Sequence, residues 1–256
     1  MHVDVCFTPN QFDETQFRDK VVVVIDVLRA STSIATALHN GAREIIPVTT
    51  VESAVKISGN LVGDAVLLGG ERNGKTIEGF HLGNSPREYC EEKVKGKSII
   101  FSSTNGSQAI VKAHYARDLV VCGFVNVGVV ADFLGKSGSD CIIVCAGDDG
   151  MFSMEDSVCA GLLIRRLSRA EGVKVGHSDA ALAAVALHKS FGKGTLKMIQ
   201  NSEHGKYLIG IGFGDDCAIC ARVDSVPVLP QLVGNVIKVK TAAEKKEHAA
   251  APITAS

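Results

Sequence analysis

A run of five β-branched residues, Val21–Ile25, places the strongest constraint on the fold of this chain. Its apolar side chains do not alternate with polar ones, so both faces of the strand that they predict must be covered. Strands buried on both faces are typical of a mostly parallel sheet that lies between two layers of helices. Further apolar runs predict strands at Val3–Phe7, Glu44–Val48, Ala65–Gly69, Ser98–Ser102, Leu119–Gly123 and Cys141–Ala146.

Helical patterns with start and stop signals lie between these runs. The sequence therefore predicts an α/β protein with three layers, α/β/α. Asn40-Gly41 is a typical helix end, and Ser or Thr three residues before an acid is a typical helix start. The predicted helices are Ser31–His39, a short one from Thr49 to Lys56, one opening at Ser85-Pro86, one from Ser153 to about Arg169, and Ser178–Ser190.

The order of these patterns repeats within the chain. Lys20–Asp26 and Lys97–Ser103 are both predicted strands that lead through a polar turn to a helix and a second strand, and a looser third copy begins at Cys141. This order indicates an internal duplication, although unrelated α/β units share the same order.

No linker divides the chain, so residues 1–237 are expected to form a single domain. Beyond Gly192, strands are predicted at Tyr207–Phe213, Ala218–Val223 and Val226–Leu229. Residues 238–256 are polar and rich in Ala, which predicts a flexible tail.

Composition excludes several classes of protein. With 46% hydrophobic and 21% charged residues, the chain is globular rather than disordered. A net charge of −1 and 5% aromatic residues give no general attraction to nucleic acid or membranes. The start of the chain does not resemble a signal peptide, and eight cysteines without one predict reduced thiols in the cytoplasm. A homo-oligomer is left open.

Polar residues follow three of the predicted strands, where open α/β sheets usually bind ligands. Asp26 closes a strand and is followed by Arg29, Ala30, Ser31 and Thr32, which could hold an anion or simply cap a helix. Thr104-Asn105-Gly106 is a second anion cradle or an ordinary Asn-Gly turn. Acids from Asp148 to Asp156 could hold a divalent cation or complement a helix dipole.

Two further segments carry candidate residues. A Gly-rich loop after the fourth predicted strand contains Glu71, Asn73, Asn84 and Ser85, and such a loop is either part of an active site or a solvated turn. Ser202-Glu203-His204-Gly205 offers His204 as an acid or base, or as a turn residue.

Other motifs are rejected. Cys159 and Arg165 have the spacing of a tyrosine-phosphatase loop, but they lie in a predicted helix that places them on different faces. Cys217-x-x-Cys220 lacks the further ligands of a zinc site.

Five motifs, taken together and in this order, resemble the ComB family of 2-phosphosulfolactate phosphatases. They are Ile25–Thr32, Gly70–Gly74, Gly79–Tyr89, Ser103–Gly106, and Cys145-Ala146-Gly147 with Ser153–Asp156. The resemblance covers about residues 3–230. One departure is His81, which stands where the family motif has Asp.

The resemblance implies a Mg²⁺-dependent phosphatase that hydrolyses 2-phospho-3-sulfolactate to 3-sulfolactate and phosphate, a step of coenzyme M biosynthesis. Its substrate carries several anionic groups, which Arg29–Ser33, Asn73, Asn84–Ser85 and Thr104–Gly106 are expected to hold. The expected Mg²⁺ ligands are Asp26, Glu71 and Asp156. Water is expected to attack the phosphorus while Arg29 stabilises the developing charge, with Glu155 or His204 as base or acid.

Three alternatives remain. The substrate could be another small phosphorylated hydroxy-acid. The chain could be a hydrolase in which Cys145 is the nucleophile. It could also be an anion-binding module that has lost its catalytic chemistry, for which His81 is the hint.

Overall fold

The structure, a computed structural model, describes residues 1–11, 13–60, 65–170, 172 and 174–239. Within them, eleven strands form one sheet, and ten α-helices connect and flank these strands. The strands are β1 His2–Cys6, β2 Val21–Ile25, β3 Glu44–Pro47, β4 Val66–Arg72, β5 Lys75–Thr76, β6 Ser98–Ser102, β7 Asp118–Cys122, β8 Cys141–Cys145, β9 Gly176–His177, β10 Pro230–Val233 and β11 Val236–Val239. The helices are α1 Ala30–His39, α2 Val51–Asn60, α3 Glu91–Val94, α4 Gly106–Lys112, α5 Val127–Ser137, α6 Met154–Leu167, α7 Asp179–Phe191, α8 Thr195–Asn201, α9 Glu203–Gly210 and α10 Gly214–Cys220.

The sheet consists of two parallel halves joined by an antiparallel hairpin. Strands β4, β6 and β3 form one half, and β7, β2, β8, β1 and β9 form the other. The hairpin of β10 and β11 lies between them, with β10 paired to β7 and β11 paired to β3. The short strand β5 pairs with β4 at one edge. The predicted mostly parallel sheet is confirmed.

Both faces of the sheet are covered, as the run at β2 predicts. Val21, Val23 and Ile25 pack on one face, in a core with residues of α5, α6 and α7. Val22 and Val24 pack on the other face, in a core with residues of α1 and α4. All five side chains of β2 are fully buried. This alternation produces the predicted three-layer α/β/α arrangement.

The two repeated units exchange strands between the halves of the sheet. The unit β2–α1–β3 begins in the larger half and ends in the smaller one, whereas β6–α4–β7 runs the opposite way. As a result β3 pairs with β6, and β7 pairs with β2. A reciprocal exchange of this kind is what two copies of one unit would give. The duplication itself stays a prediction.

The seven strands predicted before residue 150 are confirmed, but the prediction for the C-terminal region is wrong. Tyr207–Phe213 and Ala218–Val223 are predicted strands, whereas this region forms the helices α9 and α10. The Ser202 hydroxyl accepts the N–H of Gly205 and so caps the start of α9. Leu208 is fully buried while Ile209 is exposed, and this difference mimics the alternation of a strand.

Val226–Leu229 is also not a strand. The chain instead forms the hairpin of β10 and β11, which turns at Gly234 with a φ of 60°. β11 continues to Val239, so the first two residues of the predicted tail belong to the sheet. The rest of that tail, 240–256, lies outside the described residues. No helix in the described part of the chain is both long and apolar enough to cross a membrane.

Candidate active site

A cleft of about 390 Å³ lies where the carboxyl ends of β2, β4, β6 and β8 meet helix α9. This is the edge at which open α/β sheets usually bind ligands. Eight of the predicted site residues line it: Asp26, Arg29, Glu71, Asn73, Asn84, Thr104, Asn105 and His204. The cleft therefore gathers residues that lie far apart in the sequence.

Asp26 follows the last residue of β2 and is fixed by the start of α1. Its Oδ1 accepts the N–H of Ala30 at 3.1 Å, and its own N–H donates to Oγ of Ser31 at 2.9 Å. The hydroxyl of Thr32 donates to the carbonyl oxygen of Val27. Ala30, Ser31 and Thr32 are at most 2% exposed and do not line the cleft. The three residues form the turn that holds Asp26, and their predicted contact with substrate finds no support in the lining of the cleft.

The loop after β6 packs directly on Asp26. A Cβ atom at Gly106 would lie 2.6 Å from Oδ2 of Asp26 and 2.6 Å from Cβ of Ala30, closer than carbon and these atoms can approach. Only glycine fits at this position, so Gly106 permits the contact rather than binding substrate. Thr104 and Asn105, which precede Gly106, line the same cleft as Asp26.

Glu71, near the end of β4, connects two loops of the cleft. Its Oε1 accepts the N–H of Thr104 at 2.7 Å, and its Oε2 accepts the N–H of Gly74 at 2.8 Å. The side chain is 7% exposed. Charged acceptors make short, strong hydrogen bonds with backbone N–H groups. Glu71 therefore holds both loops in place while it faces the cleft.

Two buried oxygen atoms of residues that line the cleft have no hydrogen-bond partner within the described residues: Oγ1 of Thr104 and Oδ1 of Asn84. A buried polar atom left unpaired costs about 1–3 kcal/mol. Both residues line the cleft. A polar ligand in the cleft would supply the missing partners, which supports the prediction that these two residues bind substrate.

Burial and crowding of carboxylates dominate the electrostatics of the cleft. Burial, with smaller contributions from the charges of Glu71 and Glu155, raises the pKa of Asp26 from 3.8 to about 6, against the opposing effects of His204 and of the Ala30 N–H. Burial likewise raises the pKa of Glu155. Strongly perturbed carboxyl groups in a cleft are typical of functional sites.

Asp156 lies beneath the cleft rather than in its wall. Its Oδ1 accepts the N–H of Val27 at 2.8 Å, and its Oδ2 accepts the N–H of Gly147 at 3.1 Å. Burial, together with the charges of Asp26 and Glu155, raises its pKa well above the ordinary value. Asp156 therefore ties the end of β2 to the end of β8, and this position does not suit a metal ligand.

The residues present fit a Mg²⁺ ion held by two protein carboxylates rather than three. Among the described residues, no group of three or more His, Cys, Asp or Glu side chains is arranged to hold a metal ion. Asp26 and Glu71 both line the cleft. Mg²⁺ in proteins is usually bound by one or two carboxylates, with water and substrate phosphate as the other ligands. A cation here would also offset the repulsion between the buried carboxylates.

His204 lies in the first turn of α9, at the boundary between the cleft and a second cavity. Its Nδ1 is 3.8 Å from Oδ1 of Asp148 and 3.8 Å from Oε1 of Glu155. Glu155 is 1% exposed and does not line the cleft, so His204 is the member of this cluster that can meet a substrate. The second cavity, of about 560 Å³, shares Asp148, Glu203 and His204 with the cleft.

The second cavity is the larger of the two, but its wall is mainly apolar. Phe152, Met154, Phe191 and Met198 line it, together with Glu155. We place the reaction in the smaller cleft, because that cleft holds Asp26, Glu71 and both unpaired oxygen atoms.

Six further residues line the cleft: Leu28, Gly74, Asp148, Asp149, Glu203 and Tyr207. Asp148 and Asp149 belong to the acidic segment after β8 that the sequence indicates as a possible cation site, whereas the other four were missed. Tyr207 was assigned to a strand, and correct recognition of the Ser202 cap would have placed it on a helix.

Ser85 is predicted to bind substrate, but its hydroxyl donates to Asp216 and it does not line the cleft.

His81 lies away from the cleft. It is exposed, and its Nδ1 accepts the N–H of Leu68 on β4 at 2.9 Å. Its departure from the family motif therefore gives no reason to expect lost catalysis.

Cys145 is a poor nucleophile in this structure, and we expect Cys145→Ser to retain most activity. The side chain is fully buried, and burial raises the pKa of its thiol well above the ordinary value. A buried thiol of this kind behaves as a small apolar group. The measurement is kcat/KM of the folded variant, with a modest loss expected. Abolished turnover in a folded variant would instead support the cysteine-nucleophile hypothesis.

All eight cysteines are unpaired. Cys217 and Cys220, rejected above as part of a zinc site, both lie in helix α10 and are buried.

Comparison with known proteins identifies the relatives of this chain. The family model described as 2-phosphosulpholactate phosphatase matches residues 6–235, which include the whole cleft. A protein of Caldanaerobacter subterraneus subsp. tengcongensis named "Probable 2-phosphosulfolactate phosphatase" is 39% identical over 231 residues, covering 90% of this chain and 95% of that protein. Proteins with the same name from Carboxydothermus hydrogenoformans and Thermotoga maritima are 42% and 40% identical, covering 90% and 86% of this chain and 93% and 92% of their own lengths. The chain belongs to the 2-phosphosulpholactate phosphatase family.

Proposed function

We propose that this chain is a Mg²⁺-dependent phosphatase that hydrolyses 2-phospho-3-sulfolactate to 3-sulfolactate and inorganic phosphate. The observation that carries the proposal is the family match over residues 6–235, which spans every residue of the cleft. The unpaired oxygen atoms of Thr104 and Asn84 support it. The Thr104 hydroxyl can donate to an oxyanion of the substrate, whereas Oδ1 of Asn84 only accepts and would be satisfied by a donor or a cation.

Asp26 and Glu71 would hold the Mg²⁺ ion, which when bound neutralises phosphoryl oxygens and makes a water molecule more acidic. The side chains of Thr104 and Asn84, with the guanidinium group of Arg29, bind and orient the anionic groups of the substrate. His204 lines the cleft and carries out the proton transfer, either from the attacking water or to the leaving oxygen. Oδ1 of Asp148 and Oε1 of Glu155, each 3.8 Å from its Nδ1, are the acidic groups nearest to the ring.

The proposed pathway is coenzyme M biosynthesis and the proposed location is the cytoplasm. The eight unpaired cysteines support a reducing compartment, because cysteine thiols of extracellular proteins are usually oxidised to disulfides.

A substrate panel tests the proposed specificity. Phosphate release would be measured for 2-phospho-3-sulfolactate, phospholactate, phosphoglycolate and p-nitrophenyl phosphate at equal Mg²⁺. We expect the highest kcat/KM for 2-phospho-3-sulfolactate, because only that substrate fills the cleft with phosphate, sulfonate and carboxylate together. A higher value for phospholactate or phosphoglycolate would assign the chain to another phosphorylated hydroxy-acid. Binding without any phosphate release would indicate a non-catalytic anion-binding module.

A further inference from the structure

A buried ion pair connects helix α10 to the cleft. Nη1 of Arg29 donates to Oδ2 of Asp216 at 2.8 Å, and the two side chains are 2% and 1% exposed. The other oxygen of Asp216, Oδ1, accepts the hydroxyl of Ser85 at 2.7 Å. Both oxygens of Asp216 therefore have a partner, and its carboxylate is fixed from two sides.

Arg29 is restrained by two further contacts. Its Nη2 donates to the carbonyl oxygen of Gly74 at 2.6 Å, and its guanidinium carbon lies 4.3 Å from the centre of the Phe213 ring. The N–H of Gly74 is in turn bound by Glu71. The guanidinium plane is thus held in a fixed relation to Glu71, one of the two carboxylates proposed to bind the cation.

These contacts leave part of the guanidinium group available to a ligand. An Arg side chain has five N–H donors, and the two hydrogen bonds to Asp216 and Gly74 use two of them. Arg29 lines the cleft, whereas Asp216 does not. Asp216 can therefore influence a substrate only through the groups that it holds.

Stability alone is a weak explanation for this pair. Removing two charges from water is costly, and well-packed apolar residues often stabilise a core as much as a buried ion pair. An orienting role explains why a charged pair occupies this position, since a planar guanidinium group binds oxyanions well only when its N–H groups are directed at them.

We propose that Asp216 is a positioning residue, which orients Arg29 so that its remaining N–H groups bind an oxyanion of the substrate. This inference rests on the proposed function. It goes beyond it by assigning a role to a residue of α10 that touches neither substrate nor cation.

The first test is Asp216→Asn, which keeps the size of the side chain and removes its charge. We expect kcat/KM to fall about 10- to 100-fold, the effect of losing one well-directed hydrogen bond to a charged group. If Arg29 binds the phosphoryl group, the dissociation constant of inorganic phosphate, measured by calorimetry, should rise by a similar factor. All measurements are made well below the measured melting temperature of the variant, so that a loss of stability alone does not change them.

Asp215→Asn is the matched control. Asp215 is adjacent in sequence and lies in the same helix, but it is 79% exposed and pairs with Arg87 at the surface. This variant should keep kcat/KM within about twofold of the wild-type value, because exposed ion pairs contribute little.

A double-mutant cycle separates positioning from a general structural role. Arg29→Lys keeps the positive charge but loses the planar arrangement of donors. If Asp216 acts through Arg29, the double variant should lose no more activity than Arg29→Lys alone. If the two losses multiply, Asp216 does not act through Arg29 and the proposal is overturned. Wild-type kcat, KM and phosphate affinity in folded Asp216→Asn would overturn it too.

A comparison of two substrates shows which anionic group of the substrate Arg29 binds. Equal losses on p-nitrophenyl phosphate and on 2-phospho-3-sulfolactate would support positioning toward the phosphoryl group. A loss confined to 2-phospho-3-sulfolactate would support positioning toward the sulfonate or carboxylate. If the wild-type protein neither binds phosphate nor hydrolyses either ester, the proposed function fails and this inference fails with it. Multiplying losses in the double variant, or wild-type kinetics and phosphate affinity in Asp216→Asn, overturn the inference alone.

Discussion

Asp26→Asn is expected to lower kcat/KM by about three orders of magnitude while the chain stays folded. The variant lacks one of the two carboxylate charges that are proposed to hold the Mg²⁺ ion. Asn retains an oxygen that can accept the N–H of Ala30, so the turn into α1 should persist. Excess Mg²⁺ should restore part of the activity. The measurement is phosphate release over a range of Mg²⁺ concentrations, with circular dichroism to confirm folding.

The same substitution should make the metal-free protein more stable at neutral pH. The pKa of Asp26 is about 6 in the folded chain, against 3.8 as its ordinary value. The folded state therefore binds this proton more tightly, and the resulting stability is present below pH 3.8 and lost as the pH rises through 6. At pH 7.5 in EDTA, the charged carboxylate would lower the free energy of unfolding by up to about 3 kcal/mol, which Asp26→Asn should recover.

Denaturant unfolding at pH 4 and pH 7.5 measures this effect, and Asp132→Asn, an exposed residue of α5, is the control. The difference in unfolding free energy between Asp26→Asn and the wild type should grow with pH, and the control should show no such growth. A variant that is fully active, or one that is less stable than the wild type at pH 7.5 in EDTA, would contradict our assignment of Asp26.

Glu71→Gln is expected to lower kcat/KM at least about a hundredfold, because it disturbs the proposed cation site and both loops at once. Each oxygen of Glu71 accepts a backbone N–H, one from Thr104 and one from Gly74. The amide NH₂ of Gln would face one of these donors, which leaves a buried N–H unpaired at a cost of about 1–3 kcal/mol.

Glu78→Gln provides the control for this substitution, since Glu78 is exposed on the same loop. The values of kcat/KM and of the free energy of unfolding should be clearly lower for Glu71→Gln than for Glu78→Gln. If Glu71→Gln had normal kcat/KM and normal stability, Glu71 could be neither a cation ligand nor the connection between the loops.

Local patterns were enough to predict the centre of the fold. Apolar runs such as Val21–Ile25 and Ser98–Ser102 lie between two helix layers, so burial on both faces determines their residues directly. The C-terminal region was mispredicted because α9 and α10 are short and contain few residues that favour helix over strand. The turn at Gly234-Asn235, a typical hairpin signal, could have indicated the strands that join the two halves of the sheet.

Some residues of the candidate site could likewise be predicted from local sequence, and others could not. Asp26 and Thr104 follow strands and Glu71 lies near the end of β4, so the rule that ligands bind at the carboxyl ends of strands was sufficient to find them. Asp216 could not be found, because its partner Arg29 is 187 residues away and nothing in the local sequence indicates the ion pair. The hydroxyls of Ser31 and Ser85 were assigned to substrate because sequence alone does not show that protein atoms already use them.

The most direct test of the central claim is phosphate release from 2-phospho-3-sulfolactate by the purified protein, measured with Mg²⁺, after EDTA treatment, and after Mg²⁺ is restored. We predict release with Mg²⁺, loss of release in EDTA and recovery when Mg²⁺ returns. Release that continues unchanged in EDTA would contradict a cation held by Asp26 and Glu71. No release under any of the three conditions would contradict the proposed reaction itself.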